Sequence, residues 1–87
     1  MKLNVKAMAL ALGLIWGVLA MFLTGAANLV WPGYGAGFLG VMDSLYPGYQ
    51  AGTASFAQVL VGTAYGAVDG AVAGALFAWV YNRFAKA

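Results

Sequence analysis

Two long stretches without charge, separated by a segment of mixed polarity, set the pattern of this chain. No charged residue occurs from Ala7 to Val30, and from Phe56 to Tyr81 the only one is Asp69. As helices at about 1.5 Å per residue, these stretches measure about 36 and 39 Å. A hydrocarbon core of about 30 Å needs no more than that. The pattern predicts two transmembrane helices, over about 5–30 and about 55–83. The first should stop at Trp31-Pro32, because Pro disfavours helix in the residue before it. The second has a start signal in Ser55 followed three residues later by Gln58, a capping box, with Thr53 as the alternative cap.

The connection, 31–52, carries its own pattern. Trp31-Pro32-Gly33-Tyr34 and Tyr46-Pro47-Gly48-Tyr49 are one aromatic-Pro-Gly-Tyr tetrapeptide used twice, and Pro-Gly marks a turn. Between them Phe38, Leu39, Met42, Leu45 and Tyr46 fall on one face of a helix, with Gly37, Gly40, Asp43 and Ser44 elsewhere. This predicts a short amphipathic helix over about 36–46, lying in the membrane interface. Trp31, Tyr34, Tyr46 and Tyr49 would then form the aromatic belt on that side, and Trp79 and Tyr81 the belt on the other.

Composition strengthens the membrane reading. The chain has 87 residues, 64% of them hydrophobic and 7% charged, against about 25% charged in soluble domains. So short a chain cannot hide that much apolar surface within itself. Lys2 and Lys6 ahead of the first apolar run also fit the n-region of a signal peptide, with Gly25-Ala26-Ala27 as cleavage site. The run is long for that role, and a retained anchor is the better reading. All four cations, Lys2, Lys6, Arg83 and Lys86, lie near the ends, and the connection holds only Asp43. The positive-inside rule places both termini in the cytoplasm and the connection outside.

Candidate chemistry is sparse. Without cysteine or histidine there is no disulfide, no thiol nucleophile, no Ser-His-Asp triad and no common zinc or haem ligand set. The expectation is no enzyme, no catalytic residue, no metal and no cofactor, with lipid or pigment between the helices left open. A net charge of +2, dispersed as it is, gives no nucleic-acid footprint.

Two periodicities mark the second helix. Gly62, Gly66, Gly70 and Gly74 make three overlapping GxxxG steps, a face along which another helix approaches closely in lipid. The first helix has a shorter counterpart in Gly13 and Gly17, flanked by Ala9 and Gly25, with Thr24 and Asn28 near its outer end. A two-helix hairpin buries little, so the expectation is that the glycine stripe meets further chains. Ser55, Gln58, Gly62, Tyr65 and Asp69 share a second seam, spaced 3, 4, 3 and 4. A carboxylate at the depth of Asp69 costs about 2.5–3.5 kcal/mol on insertion scales and faces protein or water. Three roles present themselves: interhelical glue, with the Trp16 indole N–H as donor at that depth; the lining of a wet pathway between copies; or a proton carrier. Glue is preferred.

The third role resembles the ring-forming subunit of the ATP synthase rotor. This chain lacks that family's Arg-Gln-Pro loop, however, carries its glycine repeat on the other helix, and has its loop on the opposite side. A broader resemblance covers nearly the whole chain. Met1-Lys-Leu-Asn-Val-Lys-Ala7, Trp16-Gly17, Ser44-Leu-Tyr-Pro-Gly-Tyr49, Tyr65-Gly66, Asp69-Gly70, Gly74 and Phe77-Ala-Trp-Val-Tyr-Asn82 resemble a family of small two-span bacterial and archaeal membrane proteins, often labelled bacteriophage-holin-like. Tyr65 stands where that family carries Trp, and Trp31-Pro32-Gly33-Tyr34 is not typical of it. The resemblance implies a bacterial or archaeal cytoplasmic membrane. The expectation is thus an all-α, non-enzymatic transmembrane hairpin that associates through its second helix, with itself or as an accessory subunit. A holin-like pore is the alternative, weakened by a tail, Arg83-Phe-Ala-Lys-Ala87, without a charge cluster.

Overall fold

The computed structural model describes residues 2–53 and 55–85; Lys86, one of the expected cytoplasmic cations, lies outside them. Among the described residues the chain is all helical, an elongated body of 49 × 20 × 19 Å. Helix α1 spans Val5–Val30, α2 Ala36–Leu45 and α3 Phe56–Phe84. Both long helices are long and apolar enough to cross a membrane.

Local chemistry explains the boundaries. The Asn4 side chain caps α1 by accepting from Ala7 N at 2.9 Å, and α1 ends where Trp31 turns extended ahead of Pro32. The two aromatic-Pro-Gly-Tyr segments fold into the same turn. Tyr34 N donates to Trp31 O at 2.9 Å and Tyr49 N to Tyr46 O at 3.0 Å. Gly33 and Gly48 supply φ of 93° and 85°, the positive value a type II turn needs at its third residue after Pro at its second. Ser55 caps α3 by accepting from Gln58 N at 3.2 Å. Only half of the predicted capping box forms, since Gln58 Oε1 reaches Gln50 N instead, at 2.7 Å.

Across its middle, Ile15–Phe22, α1 is π-helical. A spacing of four over-rotates an α-helix by about 40° per step. A stripe such as Gly13, Gly17, Met21 and Gly25 would therefore wind off one side. The wider π turn, with its i→i+5 bonds, counters that drift and keeps the stripe on the side that meets α3. Gly74 lies against Met8, Gly70 against Leu12, Gly66 against Gly17 and Met21, and Val59 against Gly25. The two helices thus run in opposite directions.

The core sits where α2 meets the long helices. Met21, Leu39, Met42, Tyr46 and Tyr49 are buried together, with Trp16, Phe38, Ala51 and Val61 packed around them. Of the predicted apolar face of α2, Leu45 is the exception, 62% exposed. At about 100° per residue it stands about 90° from the centre of the arc holding Leu39, Met42 and Tyr46. Beyond this core the long helices expose Leu10, Leu14, Val18, Leu19, Leu23, Leu60, Val68, Val72 and Leu76.

Candidate functional site

The glycine stripe and the polar seam meet in the middle of α3. Gly62, Gly66, Gly70 and Gly74 are all buried, and what covers most of that face is α1 of the same chain. A Cβ at Gly70 would overlap the Leu12 carbonyl oxygen, and one at Gly74 the Met8 carbonyl oxygen. At Gly66 it would stand 2.6 Å from Met21 Cγ. Gly62 is covered jointly by Met21 and by Tyr49 of the connection. From the other side, a Cβ built on Gly13 or Gly17 would stand 3.0 or 2.9 Å from Ala67. The expectation from sequence is that the stripe meets further chains; within this chain the face lies against α1. The four-residue stripe on α1 is complementary to the one on α3, so backbone-to-backbone contact within the chain takes up the glycine face. Met21, 2% exposed, fills the joint opposite Gly62 and Gly66.

The seam is also used inside the chain. Tyr46, expected in an interfacial belt, reaches inward to the middle of the helix pair. Its hydroxyl donates to Asp69 Oδ2 at 2.7 Å and accepts from Trp16 Nε1 at 2.9 Å. Trp16 is therefore tied to Asp69 through Tyr46 rather than directly. Tyr65 stacks on Tyr46 with ring centroids 5.0 Å apart and donates its hydroxyl proton to the Pro47 carbonyl. One turn further out Gly62 receives Tyr49, and a turn beyond that Gln58 Oε1 accepts from Gln50 N. Each seam residue from Gln58 to Asp69 thus docks part of the connection onto α3. Ser55 serves as the cap.

Among the predicted belt residues, Tyr46 and Tyr49 are buried, at 6% and 4% exposed. The sequence placed them in the belt because the turn beside them looked peripheral. In the fold that turn is folded back against α3. Trp31, Tyr34, Trp79 and Tyr81 are exposed. Burial, the largest cause, pushes the Tyr49 phenol above its usual value, and the Asp43 carboxylate adds to the rise. Asp43 itself accepts from Ala51 N at 3.0 Å, and Asn28 donates to the Tyr34 carbonyl at 2.8 Å.

Asp69 is exposed despite its bond to Tyr46. It opens into a groove lined by Leu12, Ile15, Trp16, Gly70 and Ala73. At the far end of the helix pair a second polar contact joins the termini of the fold. Asn82 Oδ1 accepts from Leu3 N at 2.7 Å, its Nδ2 donates to Leu3 O at 2.8 Å, and Lys2 Nζ donates to Asn82 O at 2.7 Å. A lone amide near a helix end carries no periodicity, so sequence patterning had no means of singling out this clasp. Among the described residues no group of metal-ligating side chains assembles. Comparison of the chain with protein-family models, with curated proteins and with solved structures gave no match.

Proposed function

We propose that this chain is a non-enzymatic, two-span membrane hairpin that serves as a small structural or accessory subunit of a membrane assembly. The observation that carries the proposal is the division of its surface. The glycine face is used between α1 and α3, whereas the opposite faces expose large apolar side chains along their whole length. Lipid or other membrane helices suit such faces, and water does not. With Lys2, Lys6 and Arg83 at one end and Asp43 in the connection, the termini lie in the cytoplasm, and the connection, α2 included, folds in from the outer side of a bacterial or archaeal cytoplasmic membrane.

A pore built from copies of the chain, as the holin-like resemblance implies, is the weaker reading. A water-filled path needs polar lining, and most of the seam that could provide it is committed to the connection. The purified chain in dye-loaded vesicles tests this. Vesicles that stay tight, together with a native complex holding other proteins at fixed stoichiometry, are the expected outcome. Dye release by a homo-oligomer would replace the subunit reading with the pore.

A further inference from the structure

The bond directions around Asp69 are fixed by chemistry. An indole N–H only donates, so the Tyr46 oxygen accepts from Trp16 and the Tyr46 hydrogen goes to Asp69 Oδ2. The relay ends on an acceptor, and among the described residues no second donor reaches that carboxyl group. Asp69 itself lines the groove, whose other lining is apolar apart from the Trp16 indole N–H, already spent on Tyr46. Asp69 lies about 20 Å from the first residue of α3 and about 22 Å from the last, at about 1.5 Å per residue. That is the middle of the span, where an ionisable group meets protein or water rather than lipid.

Resting on the membrane reading above, we propose that this groove docks a transmembrane helix of a different protein, one carrying a Lys or Arg side chain at mid-depth. Charge complementarity selects that occupant over a second copy. The cations of this chain stand at positions 2, 6, 83 and 86, with Arg83 about 21 Å along the helix from Asp69. A second copy would bring only another carboxylate to the groove, and its Trp16 and Tyr46 hydrogens are already spent. The small side chain of Ala73 in the groove wall leaves room for an incoming helix to come close.

The test uses the full chain in phosphatidylcholine vesicles with a synthetic Leu/Ala transmembrane peptide carrying one central Lys. Its control is the same peptide with Leu at that place. Association is read by energy transfer between labels. The Lys peptide should bind about tenfold more tightly than the control, on the scale of one interhelical polar contact. Asp69→Asn, which still accepts from Tyr46, should abolish the difference. Ala73→Leu, which fills the groove and spares the carboxylate, should weaken Lys-peptide binding by a similar factor. Equal binding of both peptides overturns the proposal, as does retained preference in Asp69→Asn or unchanged affinity in Ala73→Leu. Self-association that the Lys peptide cannot displace overturns it too, in favour of a second copy. Side-specific labelling of the termini in the same vesicles separates the two levels. A spanning chain without Lys preference refutes the docking alone, whereas a chain that does not span refutes both.

Discussion

At Gly70 one added methyl group would run into the Leu12 carbonyl oxygen, which is backbone and cannot swing away. At Gly66 the obstacle is the Met21 side chain, which can. Gly70→Ala and Gly74→Ala should therefore cost about 1–3 kcal/mol, the usual scale of overpacking, with Gly66→Ala at or below that range. Gly40→Ala, with open space around its Cβ position inside α2, should be neutral or stabilising by about 0.5–1 kcal/mol. Reversible unfolding in detergent micelles orders the four variants. Tyr46→Phe removes both bonds of the relay and strands two polar groups, a loss of about 1–3 kcal/mol for each that stays buried. Asp69→Asn keeps an acceptor for Tyr46 and should lose far less. A smaller loss in Tyr46→Phe than in Asp69→Asn would mean that the relay does not hold the fold. The sequence marked Asp69, the glycines and Trp16, because charge and missing side chains are visible one residue at a time. It misplaced Tyr46, because a tyrosine beside Pro-Gly looks alike whether its ring points to the interface or back into the helix pair.

Among the elements, α2 is held less by its own sequence than by what α3 offers it. Tyr46, Pro47, Tyr49 and Gln50 all bond to or pack on the seam of α3. Release of that contact should follow tyrosine ionisation. Tyr49 titrates above the ordinary 10.0 when docked, so the docked state favours the neutral phenol. Its contribution is fully present below pH 10.0, where both states are neutral, and is lost as pH rises through the raised value. Trp16 emission in a Trp31→Phe/Trp79→Phe background should stay constant up to about pH 10 and change above it; a change centred near neutrality would point to another group. The turns flanking α2 were legible because Pro-Gly chemistry is local. The π-helical stretch of α1 was not, since it answers to the spacing of contacts with α3 rather than to any residue within it.

At the scale of the whole molecule, the fold is a pair of matched stripes closed at one end by the Asn82 clasp and covered over its other half by α2. Asn82→Ala removes both side-chain bonds to Leu3. The amide of Leu3 should then exchange with solvent at least tenfold faster, a change of about 1.4 kcal/mol in local opening. Unaltered exchange would show that the clasp adds nothing. The architecture of two long helices and a short one was readable from the spacing of charges. The partner of the glycine stripe was not, although half of the answer stood in Gly13, Gly17 and Gly25. Two four-residue stripes in one chain can satisfy each other, and periodicity alone does not say whether they do. The chain contains no cysteine, which allows a direct test of that central point. A Cβ built on Gly13 lies 3.4 Å from Ala71 Cβ, close to the roughly 3.5–4.5 Å of a disulfide. Oxidation of Gly13→Cys/Ala71→Cys in native membranes should give a crosslink within single chains, running as monomer and shifted by reduction. A ladder of disulfide-linked dimers and higher species, with no internal crosslink, would contradict the account and return the glycine face to contacts between chains.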